Sequence, residues 1–436
     1  MALIESLQDL LRIPSISALP EHKADCLRAA AWIRDYLPNA RLVEKENCNP
    51  IVRADYCNAP GKPTLLLYGH YDVQPPDPIG EWRTPPFEPT IVGNDIFARG
   101  ACDDKGQTLI LLEAVRSLHP NLPINIKVLI EGEEESNGAH IEEYLPENAA
   151  ELSADAVLIC DTEMFAKGLP TLCTGLRGIV YGEIHVEGPA QDLHSGVYGG
   201  AAPNPLQAIA RILATLKGND GVVNIPHFYD GIQPPTPAEL AAWRSLPFDQ
   251  EHYRKTEVGS PALTGEAGYS VLERTWARPT FEVHGIVGGF TGAGAKTVIP
   301  AKASAKISTR LVPGQDPEAV AENLRAAIAQ ATPSGVTSRF ELMAANEASV
   351  VDTSHPLIEK AAQALQQTFG TKTVYMRSGG SIPIVGLFRQ HLGIPSVLMG
   401  FGLPDDNLHA PNEKFHLPNF YKGIEAVRNY FAVVAQ

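Results

Sequence analysis

Histidines and carboxylates cluster in this chain where apolar runs break off. The run 64–68 (TLLLY) ends in Gly69-His70-Tyr71-Asp72, and the run 124–130 (INIKVLI) ends in Glu131-Gly132-Glu133-Glu134-Glu135. The run 154–160 (ADAVLIC) leads into Asp161 and Glu163. The run 394–399 (IPSVLM) leads into a loop, 400–415, that holds His409 and Glu413. Asp103 and Asp104 stand at the start of a mostly apolar helical stretch, 108–118. Singly, each has a plain structural explanation: a lone histidine packs, an Asp-Asp pair caps a helix, and four glutamates in five positions form a solvated acidic loop. Independent accidents at four strand ends explain the pattern less well than one shared site does.

Two imidazoles with three or more carboxylates suit Zn²⁺, Mn²⁺ or Co²⁺ better than an all-oxygen Ca²⁺ or Mg²⁺ site. The count also suits two ions, because one carboxylate can bridge metals about 3.5 to 4 Å apart and leave a position open for water. A spare glutamate beside a ligand glutamate can take the proton of that water as it attacks a carbonyl. The reaction class this predicts is metal-assisted hydrolysis.

Such a site needs strands that end at one edge. Short apolar runs closed by Gly and Pro read as buried strands of a parallel sheet, and in open α/β sheets the ligand crevice lies beyond the carboxyl ends of the strands. Amphipathic patterns predict helices over 4–13 and 21–37. Between 160 and 394 the pattern changes. Residues 178–187 and 301–311 alternate as half-buried antiparallel strands do, while 204–217 and 316–331 read as amphipathic helices. This predicts an α/β/α catalytic domain with a mixed, mostly parallel sheet, residues 1–177 and 355–436, interrupted by an inserted α+β domain, 178–354. A helix over 352–370 returns the chain to the first domain.

The insert has polar candidates of its own in Asp192-Leu193-His194-Ser195, Lys296-Thr297 and Arg310. Arg310 reads either as a surface salt bridge or as a bidentate clamp on a substrate carboxylate. The segment 289–297 (GFTGAGAKT) nearly spells a phosphate-binding loop but carries one extra residue and lacks the strand-to-helix frame. Ser378-Gly379-Gly380-Ser381 resembles a Gly-rich helix start suited to an anion.

Composition narrows the partners. The chain has 436 residues, 44% hydrophobic and 19% charged, and a net charge of −15. That charge argues against nucleic acid or an anionic membrane surface. The amino-terminal residues lack a basic stretch followed by an apolar one, and nowhere do about 18 apolar residues run together, which predicts a cytoplasmic protein. Six scattered cysteines without a C-x-x-C pair predict reduced thiols.

GHYDVQP at 69–75, RGACDDKG at 99–106, EGEEES at 131–136, DLHSGVYGG at 192–200, GAKTVIP at 294–300 with STRLVP at 308–313, SGGSIP at 378–383 and the His409 loop follow the order seen in the M20 metallopeptidases. The chain most resembles their dipeptidase branch, which includes cytosolic nonspecific dipeptidase and carnosinase. The resemblance covers nearly the whole chain.

It implies that His70 and Asp161 bind one metal, Glu135 and His409 the other, and that Asp103 bridges them. Glu134 matches the general base, and Asp72 matches an active-site aspartate that orients His70. The triple Glu133-Glu134-Glu135 leaves the alignment ambiguous; the following Ser136 favours Glu135 as ligand and Glu134 as base. In the insert, His194 matches the residue that polarises the scissile carbonyl. Thr297 and Arg310 match those that grip the substrate's terminal carboxylate, and Gly380 and Ser381 match further substrate contacts. The insert then acts as lid and dimerisation domain, with His194 and Thr297 reaching the partner subunit's site in a homodimer. The expected enzyme holds two divalent ions, Zn²⁺ first with Mn²⁺ or Co²⁺ as alternatives. It would hydrolyse dipeptides or short peptides with a free C-terminal carboxylate through a metal-bridging water activated by Glu134. An N-acyl amino acid deacylase of the acetylornithine deacetylase or succinyl-diaminopimelate desuccinylase type is the alternative. Asp161 favours the peptidase, since many deacylases resembling this family carry Glu there.

Overall fold

The computed structural model describes residues 3–136 and 138–436. The chain forms two compact units. The first comprises Met1–Thr174, Val351–Met376 and Leu387–Gln436; the second comprises Gly175–Val350 and Arg377–Gly386.

The first unit is built on a mixed sheet. Its four runs that end in polar residues are neighbours in that sheet, in the order Asn125–Glu131, Thr64–His70, Ala156–Ile159 and Ser396–Leu398, all parallel. Strands Ile51–Tyr56 and Arg41–Val43 extend it antiparallel on one side, and Thr171–Leu176 pairs antiparallel to Ser396–Leu398 on the other. Leu65, Leu66, Leu67 and Tyr68 are wholly buried, as expected for a strand covered on both faces, where an uninterrupted apolar run replaces alternation. Each leucine there contributes about 1.5 to 3 kcal/mol of burial.

Helices Leu3–Leu11, Lys23–Tyr36, Lys105–Leu118, Pro356–Phe369 and Leu417–Val434 belong to this unit. Helix Lys105–Leu118 is buried at every position from Lys105 to Val115. It stops at His119-Pro120, because the residue before a proline is pushed out of the helical region. Gly69 lets this helix approach: a Cβ there would run into Thr108 Oγ1.

The second unit is an antiparallel four-stranded sheet in the order Thr280–Gly288, Lys302–Leu311, Gly178–Glu187, Thr337–Asn346. Gly178–Glu187 alternates between buried and partly exposed residues along its length, the signature of a sheet covered on one face. Helices Pro205–Leu216 and Pro317–Ala331 pack on that face. Both start on a side-chain cap followed by proline: Asn204 Oδ1 accepts from Leu206 N, and Asp316 Oδ1 from Glu318 N. The segment 289–297 joins strand Thr280–Gly288 to strand Val298–Ile299 and leads into no helix, so the near phosphate-loop pattern has no helix end to offer an anion. Residues Arg377–Gly386 belong to this unit because Gly379 and Gly380 accept from Arg177, and Ser381 accepts from Arg310.

Among the described residues no helix is long and apolar enough to cross a membrane. All six cysteines are free.

Candidate metal centre

The polar ends of the parallel strands meet in the first unit. His70 closes strand Thr64–His70 and is wholly buried; its Nε2 lies 3.2 Å from Asp103 Oδ1, 3.8 Å from Asp161 Oδ2 and 4.0 Å from Glu134 Oε2. His409 Nε2 lies 2.9 Å from Asp103 Oδ2 and 3.3 Å from Glu135 Oε1. Two clusters result, His70-Asp103-Asp161 and Asp103-Glu135-His409, each with ligand atoms within 4.8 Å of one another. They share Asp103, which turns one oxygen to each histidine.

These residues fit metal ions. His70 Nε2 is buried without a hydrogen-bond partner, an expensive state for a polar atom unless something else binds it. Its Nδ1 faces Asp72, 3.1 Å from the carbonyl oxygen and 3.4 Å from Oδ1. A proton held there leaves Nε2 free to donate its lone pair.

The charges agree. Burial works against charge on His70, yet Asp103, Asp72 and further carboxylates hold its pKa well above the ordinary value. Hydrogen bonds to Asp103 and Glu135 push His409 up to about 10. Burial would raise Asp103, but His409 and His70 hold it below the usual carboxylate range. Burial and the Asp103 charge push Asp161 up to about 7, and burial with Asp161, Glu135 and Asp103 nearby holds Glu134 well above its ordinary value. Carboxylates crowded to this degree either keep protons or share cations.

The second layer of contacts explains how they are held. Asp72 Oδ2 accepts from Ser17 Oγ at 2.6 Å and from Glu135 N at 3.0 Å. Gln74 Nε2 donates to Glu135 Oε2 at 2.7 Å. His409 sits in a left-handed backbone conformation, φ 57°, which costs a non-glycine residue on the order of 1 kcal/mol or more. Its loop is pinned by buried Asp406, which accepts from Leu403 N at 2.7 Å and Lys414 Nζ at 3.0 Å.

The structure separates the three consecutive glutamates. Glu133 accepts from Asn49 N at 2.7 Å and His140 N at 3.1 Å, so it ties the loop down. Glu134 faces His70, and Glu135 faces His409. The plain alternative for the Asp-Asp pair, a helix cap, is met by neither side chain. Asp103 belongs to the clusters. Asp104, though it precedes the helix, makes no capping hydrogen bond with its side chain; its Oδ2 accepts from His70 N at 3.2 Å and Thr108 Oγ1 at 2.7 Å.

The remaining predicted residues lie in the second unit. A two-stranded ribbon, Leu193–His194 with Val298–Ile299, sets His194 beside Thr297; both are exposed, and His194 Nδ1 accepts from Gly196 N at 3.0 Å. Arg310 Nη1 donates to Ser381 Oγ at 2.8 Å. The carbonyl of Gly380 accepts from Arg177 N at 3.0 Å.

Sequence reading gave no role to Arg99, and it noted Glu413 only as part of the His409 loop. Buried Glu413 accepts from Arg99 Nη1 at 2.7 Å and from the backbone N–H groups of Gly100, Cys102 and Asp103 at 2.9, 2.9 and 3.1 Å. It therefore holds the turn that presents Asp103. The only sequence signal for it was a carboxylate four residues after His409.

Residues 66–432 match the model of peptidase family M20/M25/M40. The Cys-Gly metallodipeptidase dug1 of Schizosaccharomyces pombe is 35% identical over 391 residues, which cover 87% of this chain and 82% of that protein. The Beta-Ala-His dipeptidase of Homo sapiens is 31% identical over 400 residues, covering 89% of this chain and 78% of that one. The structure of the M20 family metallo-carboxypeptidase Sso-CP2 from Sulfolobus solfataricus superposes with a TM-score of 0.89 at 32% identity, covering 100% of this chain and 99% of that one. On the matched family model and these relatives, the chain belongs to peptidase family M20/M25/M40, in its metallodipeptidase branch.

Proposed function

We propose that this enzyme hydrolyses dipeptides, or short peptides with a free C-terminal carboxylate, at a centre of two divalent metal ions. The observation that carries this reading is Asp103, one oxygen beside each histidine in two ligand clusters. His70 and Asp161 would hold one ion, Glu135 and His409 the other, with Asp103 between them. The donor set of imidazoles and carboxylates suits Zn²⁺ first, then Mn²⁺ or Co²⁺. Bound ions of this kind polarise a carbonyl and acidify water.

The protein's own residues do the rest. Asp72 fixes the ring and tautomer of His70. Glu134, close to the clusters but assigned to neither, takes the proton of the attacking water and returns it to the leaving amine; its raised pKa suits both transfers. In the second unit His194 polarises the scissile carbonyl. Thr297 and Arg310 hold the terminal carboxylate, and Gly380 and Ser381 contact the substrate.

We further infer that the inserted segment 178–354 acts as lid and dimerisation domain in a homodimer, with His194 and Thr297 serving the partner subunit's site. Strand Thr280–Gly288 is an edge strand with Val283, Ile286 and Val287 exposed at 43%, 52% and 67%. Val197 and Tyr198, just after His194, are exposed as well. Apolar edges of this kind are normally covered.

Assay of metal-loaded protein against dipeptides and N-acyl amino acids tests the reading. Turnover of dipeptides is expected; turnover of N-acyl amino acids alone would establish the deacylase instead.

A further inference from the structure

The second unit encloses a cavity of about 410 Å³ whose charge does not match the rest of the chain. Five cationic side chains line it, Arg177, Lys217, Arg274, Arg278 and Arg310, against two carboxylates, Glu266 and Glu282. The protein as a whole carries a net charge of −15. A concentration of positive charge in an acidic protein marks a place for an anion.

Both carboxylates are already engaged. Glu266 forms a two-pronged pair with Arg278 at 2.7 and 2.6 Å, and Glu282 accepts from Lys217 Nζ at 3.0 Å. Arg274 donates to the carbonyls of Glu266 and Thr264 at 2.8 and 3.2 Å. Among the described residues Arg177, Arg274 and Arg310 pair with no carboxylate; Arg274 is held by its two carbonyls, which leaves Arg177 and Arg310. They are coupled through the loop between them: Arg310 Nη1 donates to Ser381 Oγ, Ser381 Oγ donates to the carbonyl of Arg177, and Arg177 Nε donates to the carbonyl of Gly379 at 2.8 Å. Gly379 permits this approach, since a Cβ there would lie 2.9 Å from Arg177 Nη2.

Arg177 Nη1 is buried and has no hydrogen-bond partner. Burial and the nearby Arg310 charge lower the Arg177 pKa, and Glu282, itself bound to Lys217, offsets them only in part; at about 10 Arg177 stays cationic at neutral pH. Guanidiniums without a carboxylate in a half-buried cavity are costly unless a ligand supplies the counter-charge, and Arg177, with a buried nitrogen left unpartnered, needs it most. One carboxylate, at Arg310, would satisfy one of them. The second guanidinium calls for a second carboxylate.

We propose that Arg177 is a specificity-determining residue that binds a side-chain carboxylate, so that the enzyme favours short peptides whose C-terminal residue is aspartate or glutamate. This rests on the peptidase reading, in which Arg310 takes the terminal carboxylate.

The test compares kcat/KM for Ala-Glu and Ala-Gln, which differ in charge and hardly in shape. Wild-type enzyme should favour Ala-Glu by about ten-fold or more, the scale of one charge-assisted hydrogen bond. Arg177→Met should bring that ratio close to one, mainly through KM, and Arg177→Lys should retain part of it. A wild-type ratio near one overturns the proposal whatever the variants do, as does an unchanged ratio in Arg177→Met. If metal-loaded wild type hydrolyses neither peptide, the peptidase reading has failed on its own. Calorimetric titration with glutarate then decides the anion site: binding that Arg177→Met abolishes supports it, and absence of binding to wild type overturns it.

Discussion

The backbone N–H of Glu135 donates to Asp72 Oδ2 at 3.0 Å, so the carboxylate that faces the His70 ring also fixes the residue beside His409. One side chain thereby links the strand end at 70 to the strand end at 131. Asp72→Ala removes the acceptor for Glu135 N and Ser17 Oγ together and takes the carboxylate away from the His70 ring, whose Nδ1 keeps the backbone carbonyl of residue 72. Residues that orient metal ligands in this way are worth about 10- to 100-fold in metal affinity or activity. Metal titration followed by assay should show a loss on that scale in both, and Asp72→Asn, which keeps one acceptor oxygen, should lose less.

Glu134 and Glu135 are adjacent but face different histidines. Glu134→Gln should therefore keep both metals, measured as metal content per chain, while kcat falls by about 10²- to 10⁴-fold. Glu135→Gln should lower metal content itself. If the two variants behave the other way round, the roles assigned to them are reversed.

Buried Glu413 holds Arg99 and three backbone N–H groups around Asp103. Burial pushes its pKa up to about 7 against those four donors. Glu413→Gln has one acceptor oxygen for this set and leaves the Arg99 guanidinium buried without its counter-charge. Breaking a buried pair costs about 3 to 5 kcal/mol. Urea unfolding should show a loss of that order, and metal content should fall as the Asp103 turn loosens.

How far the site could be read in advance depended on how local its signals are. His70, Asp161 and His409 stand out because each follows an apolar run that ends abruptly, and four adjacent parallel strands turn that pattern into proximity. Glu133, Glu134 and Glu135 are one residue type in a row, and only backbone contacts from Asn49 and His140 tell the first from the others. Asp104 resembled a helix cap because it occupies the position of one; its true partners, His70 N and Thr108 Oγ1, depend on how helix and strand pack. Arg99 and Glu413 are 314 residues apart, and no periodicity connects them. Arg177 lies between strands Thr171–Leu176 and Gly178–Glu187, and that it pairs with no carboxylate becomes visible only from the side chains that line its cavity.

Glu131 offers a prediction about pH. Its carboxyl is buried, accepts from Tyr68 Oη at 2.6 Å, and has its pKa pushed up to about 8, chiefly by burial. In the unfolded chain the same group titrates near 4.5. Between these values the folded protein holds a proton that the unfolded chain has released, so raising the pH favours unfolding. The contribution is complete below about 4.5, shrinks as the pH rises, and is lost above about 8. Glutamine keeps the neutral shape and the acceptor for Tyr68 but cannot ionise. In chelator-treated protein the Tm of Glu131→Gln should match wild type near pH 4.5 and exceed it increasingly up to pH 8. A Tm difference that stays constant across that range would mean that Glu131 is already ionised in the folded protein.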